Sequence, residues 1–537
     1  FLNNILSFNT DKIPNDYWIK ISKEGEWSKL LHYHSKVTFN GRKIESYASS
    51  KEFFLSTEGR VNPLLELESA IKLIETEDTA KKQKILCTYP ARFSFIKSHF
   101  LKFYPLSEVN QRFRANCSEF EEWKKNLDAK DVTLVFASSY ANNPASMFGH
   151  TFLRLNSHED PLQDYAISFS AELAGEQGIG GILYALKGLF GAYPGRFTLG
   201  PYYMKVNEYN HGEGRHLWEI PLNFNREEME RLLENMWELL GTASFDYYFL
   251  DENCSFHLLG LIEAAKLNWS LRPNFFLYTA PTETFTRMSE LVEKEQKKSA
   301  PKVLLRPSIR GELFYAWKNI SIKQKQQIQS ILNANANANA NANANANANA
   351  NANANANANL IQSDLKQLDL SSLKVLQQIL HFAKFEKGKT FKEKEKHLLF
   401  LTLRELSSRS NESEETSRIE YWTKFQNRHR PDIGHLGGKF SVLTGKDYQN
   451  TWWGFRIRGG FRDLLDSPLG HDSYQHIVGL QGTYKNYPKR SHAQWTDLTF
   501  VQILSLYPYH PLDPQVSWGL SSDVSSLRNV TCPQASF

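Results

Sequence analysis

Between Asn333 and Asn359 the sequence is a strict alternation of Asn and Ala. Such a stretch has no apolar face to bury, and Asn favours neither helix interior nor sheet. It reads as a flexible linker with no function of its own. It therefore divides the chain, and folded units are expected on either side. At 537 residues, about three or four domains are expected. Hydrophobic residues make up 41% and charged residues 23%, which suffices for large cores. That balance excludes a disordered, collagen-like or disulfide-framework chain. The net charge of +5 is small, so no nucleic-acid partner is expected. No apolar run reaches the ~18 residues of a membrane helix. Phe1 in place of a start Met makes a trimmed or mature form the expectation, with a removed export signal allowed.

Upstream of the repeat the pattern predicts a helical part over 1–130 and a mixed part over 131–330. Glu66 to Thr76 has helical spacing. Strands fit Val132–Ala137, His150–Leu155, Tyr165–Ser170 and His216–Ile220. Asn225 with Glu228 three residues on is a capping-box pattern before a long helix. A second helix follows Asn253. Strands first and helices after them predict an α+β fold. Residues 360–425 read as a helical connector. From about 430 to 537 short alternating segments rich in Trp, Tyr, Phe and Gly predict antiparallel β structure. In TWWGFRIRGGF, Trp453, Phe455 and Ile457 share one parity, and Trp452, Gly454, Arg456 and Arg458 the other. That split fits an outer-membrane barrel wall and equally a soluble sheet with one buried face. The segment holds about five strands, whereas a membrane barrel needs at least eight.

The expected chemistry centres on His150 in SMFGHTFLRL and Cys254 in FLDENCSFHLL. Cys254 opens a helix directly after its cap, Asn253. The positive end of the helix dipole favours thiolate there, which predicts a lowered pKa. A histidine at the start of a strand is a rigid base, and N–H groups at the helix start can form an oxyanion hole. The plain alternative is a buried thiol and a core or capping imidazole.

NPASMFGHTFLRL, DENCSFHLL, FFLSTEGRVNPLLELESAI and CTYPARFSFI resemble the Lnb-type periplasmic domain of bacterial envelope proteins over roughly residues 25–310. Lnb is a lipoprotein N-acyltransferase. The order of His before Asn-Cys also resembles the circularly permuted papain-like fold of lecithin:retinol acyltransferase and its NlpC-like relatives. The resemblance implies Cys254 as acyl-accepting nucleophile and His150 as base. It implies an orienting group on the next strand, Ser168 or Ser170, with Asp251 or Asn253 as substitutes. His257 shares the helix face of Cys254 and is expected on the helix surface.

Two features fit a lipid substrate. The glycine-rich 175–200 segment, with Ile182, Leu186 and Phe190, reads as an apolar flap for acyl chains, or as a plain hairpin packed on the core. Arg154, on the same strand face as His150, could meet a lipid phosphate, and an ordinary ion pair fits equally. Arg92 has the same two readings. Cys87 and Cys117 fit a disulfide or two buried thiols equally well. His32 and His34 read as a strand or surface feature, and no metal or other cofactor is expected.

The expectation is an α+β, permuted papain-like thiol acyltransferase or acyl hydrolase facing the periplasm. Its β-rich tail would associate with the outer membrane. Its partners would be phospholipid or lipoprotein, and other envelope proteins. The alternatives are an NlpC-like amide hydrolase of cell-wall peptides and a non-catalytic outer-membrane scaffold.

Overall fold

A computed structural model describes residues 12–38, 41–140, 148–172, 191, 193–274, 278–296, 303–344, 361–387, 390–409, 415–447, 450–470, 474–488, 492–507 and 509–525. These residues are α+β, with three antiparallel sheets, none of them closed into a barrel. The chain divides into two units. The first holds residues 1–204 and 219–303, and the second holds 205–218 and 304–537.

The first unit begins with short helices and a hairpin of β1 (Tyr33–Thr38) and β2 (Gly41–Ser46). Its main sheet uses β3 (Asp131–Ala137), β4 (His150–Asn156), β5 (Tyr165–Ala171), β6 (Tyr193–Pro201), β7 (Leu217–Pro221) and β8 (Phe245–Tyr247), in the order β8-β6-β5-β4-β3-β7. The run VTLVFA in β3 is buried throughout, as a strand covered on both faces requires. Register pairs Phe136 with Thr151 and Ala137 with His150. Side chains alternate along each strand, so these two pairs point to opposite faces. The helix Pro281–Gln296 covers the Phe136 face, with Phe285 5.7 Å from the Phe136 ring. The helix Cys254–Ala265 covers the same face, through Thr151 and through Phe169 of β5.

Local signals start the two long helices of this unit. Asn225 and Glu228 form the capping box, and the helix runs Arg226–Thr242. Asn253 accepts hydrogen bonds from Ser255 and Phe256 N–H, and the helix runs Cys254–Ala265. Every residue of that second helix is buried, consistent with its apolar circumference. A buried ion triad ties the N-terminal helices to this layer. Arg92 lies 2.9 Å from Glu66 and 3.0 Å from Glu238, all three side chains without solvent exposure. The Arg92 guanidinium also sits over the Phe53 and Tyr89 rings. Its role is structural, and no face of it is left for a lipid phosphate. Cys87 and Cys117 are disulfide-bonded.

The second unit has a helical layer and an open sheet. Ile328, Ile331, Leu373, Leu376, Leu398 and Leu401 are among its buried core. One helix of this layer spans Ile322–Ala344, and so continues well into the Asn-Ala repeat. This corrects the linker expectation as far as Ala344. Ile328 and Ile331 anchor the first turns in the core. Once nucleated, a helix propagates cheaply, and Ala is its best former. A short strand, β9 (Leu304–Arg306), precedes this layer. The sheet is a meander of β10 (Lys439–Asp447), β11 (Asn450–Arg462), β12 (Gln475–Tyr487), β13 (His492–Ser505) and β14 (Trp518–Ser525). These match the five aromatic segments of the sequence.

Candidate active site

Cys254 enters the protein interior because its cap is itself anchored. The Asn253 amide donates to the carbonyls of Phe249 and Thr279, at 3.2 and 2.7 Å. Its carbonyl oxygen caps the helix. The helix start is thereby pinned against the beginning of β4. Ser255 Oγ lies 2.8 Å from Thr151 Oγ1, a buried hydroxyl pair. Thr151 and Ser255 also hydrogen-bond the Cys254 thiol, through backbone and side chain.

These bonds favour thiolate, yet burial outweighs them and the thiol pKa is raised. The helix-dipole expectation of a lowered value is corrected accordingly. A fully buried sulfur loses more solvation than one helix turn and its hydrogen bonds return.

His150 is half-buried at the first position of β4. Strand alternation gives it the face of Phe152 and Arg154, and its ring lies 6.3 Å from that of Phe152. Cys254 meets Thr151, the next residue, on the other face. Cys254 thus sits against the residue that follows His150. His150 itself opens the strand. Gly149 precedes it with φ of 88°, a conformation that L side chains rarely adopt. An added Cβ there would also overlap the Phe136 ring.

The remaining site residues separate clearly. Ser168 and Ser170 share the His150 side of β5 by alternation from the Arg154–Ala166 pair. Ser168 is buried and Ser170 is exposed. Asp251 is exposed, and its carboxylate accepts from the Glu252 N–H. Arg154 is buried, 2.8 Å from Asp164 and 3.0 Å from Glu219. Tyr202 completes that network with a 2.7 Å bond to Glu219. Two carboxylates neutralise the Arg154 guanidinium, so the ion-pair reading is the one the geometry supports. Ile182, Leu186 and Phe190 lie outside the described residues.

His257 is not on a helix surface. It is wholly buried, 4.3 Å from the Phe169 ring and 4.6 Å from that of Phe245. Burial lowers its pKa to about 3, and Arg272 adds to the shift. His34 stacks on Tyr47 at 3.7 Å, and burial lowers its pKa to about 4. Among the described residues no group of three or more His, Cys, Asp or Glu side chains is placed to hold a metal ion.

Three residues near the thiol were missed by sequence reasoning. Thr151 and Ser255 each directly follow a residue singled out, and that adjacency was the available signal. Glu252, two residues before Cys254, has its pKa pushed up to about 7 by burial, with Asp251 and Asp246 adding to it.

The fold and site define an α+β domain with a buried thiol at a helix start, docked on a strand that begins with histidine. Residues 119–290 match the family model of the Lnb N-terminal periplasmic domain. Residues 19–99 and 428–530 match two domains of unknown function, DUF7843 and DUF7840. No curated protein and no solved structure gives a match. The family is a periplasmic one, and no helix among the described residues is long and apolar enough to cross a membrane.

Proposed function

We propose that the first unit is a cell-envelope thiol acyltransferase, in a permuted papain-like arrangement, with Cys254 as nucleophile and His150 as base. The observation that carries this reading is the anchoring of Cys254 at a capped helix start, against the residue that follows His150. In the first step the imidazole takes the thiol proton and sulfur attacks the ester carbonyl of a phospholipid or diacylglyceryl group. The tetrahedral oxyanion is held by the Cys254 N–H, the helix-start donor that the Asn253 cap does not take. It collapses as the ester C–O bond breaks, and the leaving alkoxide takes the proton from the imidazolium. An acyl-thioester remains. An amine, such as a lipoprotein N-terminus, then attacks it, transfers its proton through His150 and releases the thiol. Water as acceptor gives a fatty acid instead.

The raised thiol pKa fits this order of events. The resting thiol is neutral, and deprotonation is coupled to attack rather than preceding it. Association of the C-terminal sheet with the outer membrane is part of the same reading. The test is release of lysophospholipid from phospholipid vesicles by the full chain. Cys254→Ser should abolish release while leaving the far-UV CD spectrum unchanged, because a hydroxyl ionises far less than a thiol. Undiminished release by that variant would remove Cys254 from the chemistry.

A further inference from the structure

Two neighbouring rows of the C-terminal sheet differ sharply in chemistry. Register aligns Phe440, Ile457, Gly482, Leu498 and Val524 across all five strands. The adjacent row, on the opposite face, is Lys439, Arg458, Gln481, Thr499 and Asp523. A sheet in water buries its apolar face and wets the polar one. Here the apolar row is largely exposed, and in β11 and β13 more so than the polar row. Phe440 is 66% exposed, Leu498 42% and Val524 62%, whereas Arg458 is 3% exposed and Thr499 8%. Val442 and Trp453 extend the apolar face, 79% and 48% exposed. On the opposite face Lys439 and Asp523 remain exposed, and the Arg458 and Lys439 charges are matched. Arg458 lies 2.6 Å from Asp466, and Lys439 lies 2.7 Å from the same carboxylate.

We infer that this apolar face is covered by the hydrocarbon of a lipid bilayer, as the outer wall of a membrane-inserted sheet. The dimensions agree. β11 and β12 have 13 residues each. At ~3.3 Å per residue and a tilt of ~45°, such strands span about 30 Å, the thickness of a bilayer core. The aromatic residues sit where a bilayer has its interfaces. On the apolar face Trp453 marks one end of the sheet, and Phe461 and Trp518 the other. The end that stays outside the hydrocarbon is also set. Asp513, in the connection between β13 and β14, lies 2.9 Å from Arg310, and His510 stacks on Phe314 at 3.9 Å. These contacts hold that end on the helical layer, so the opposite end, with the β10–β11 turn, leads into the membrane. Hydrocarbon tolerates no unpaired strand edge, so in the inserted form further strands pair with the outer edges of β10 and β14.

This inference rests on the outer-membrane reading above and not on the thiol chemistry. The test is flotation of the full chain with vesicles of phosphatidylethanolamine and phosphatidylglycerol. The wild type and Cys254→Ser should both float. Val442→Arg with Leu498→Arg should cut the floating fraction at least tenfold, while Ser441→Arg, the neighbour on the other face, should float normally. A second measurement needs no charged variant. Phospholipids brominated on the acyl chain should quench tryptophan fluorescence, and replacing Trp453 and Trp495 with Phe should remove a clear share of that quenching. A wild type that stays at the bottom of the gradient as a monodisperse monomer would overturn the inference. So would a detergent-free dimer that shields the apolar row, since a second copy would then be its cover. Flotation without acyl transfer would sink the chemistry alone.

Discussion

The Cys254 thiol is kept neutral by burial and held in place by two hydroxyls. Its reactivity should therefore climb late with pH. Alkylation of Cys254 by iodoacetamide, followed on its tryptic peptide in the folded chain, should show a midpoint above the ~8.5 of an ordinary thiol. A midpoint below 7 would mark a dipole-activated cysteine and contradict this environment. Thr151→Val keeps the volume and removes one hydroxyl from the thiol and from Ser255. With about 1–1.5 kcal/mol per hydrogen bond, acylation should slow about tenfold. An unchanged rate in a folded variant would leave Thr151 as packing only. The places of Asn225, Asn253 and Cys254 at their helix starts were legible in the sequence, because a cap and the residue it precedes are set within four positions. Thr151 and Ser255 were not. Their meeting depends on the packing of a helix across a strand 104 positions away, which no local pattern encodes.

The helix Cys254–Ala265 and the sheet beneath it enclose an imidazole that must stay neutral. His257 titrates at about 3 in the fold, below its ordinary 6.5. A base with a depressed folded-state pKa contributes stability above the unfolded value. That contribution is lost as pH falls from 6.5 towards 3, at up to ~1.4 kcal/mol per unit. Glu238, raised to about 7, works in the opposite sense, losing stability as pH rises from 4.5 to 7. His257→Phe should therefore shrink the drop in urea midpoint between pH 6.5 and pH 4. An equal drop in the variant would place the acid sensitivity elsewhere. The N-terminal helices depend on the Cys87–Cys117 link, which closes a 30-residue separation. Replacing both cysteines with Ser should cost about 3–4 kcal/mol while sparing the thiol chemistry. Denaturant unfolding checks the first and lysophospholipid release the second. The sequence left this pair open, since spacing alone does not bring two Cα atoms within bonding range. The Asn-Ala repeat was misjudged for a related reason. Its local composition lacks a buried face, but the preceding turns, Ile328 and Ile331 among them, supply the nucleus.

At the scale of the molecule, the chain forms two compact units that differ in kind. The first contains most of the stretch that matches the Lnb N-terminal periplasmic domain, with one buried thiol at a helix start. The second ends in an open sheet with its apolar side outward. The period-two pattern of that sheet was plain in TWWGFRIRGGF, and the strands fell where the alternation placed them. Which face was exposed was not plain, because alternation is the same for a lipid-facing wall and a buried one. The register and the exposure within one strand, Ile457 at 46% against Arg458 at 3%, are what bear on it. The central claim, an acyl-thioester on Cys254, has a direct measurement. The full chain is incubated with phospholipid, quenched in acid and digested, and the Cys254 peptide is weighed. The account predicts an added acyl mass on that peptide, removed by hydroxylamine and absent in His150→Ala. Lysophospholipid release with no acyl group ever found on Cys254 would contradict it.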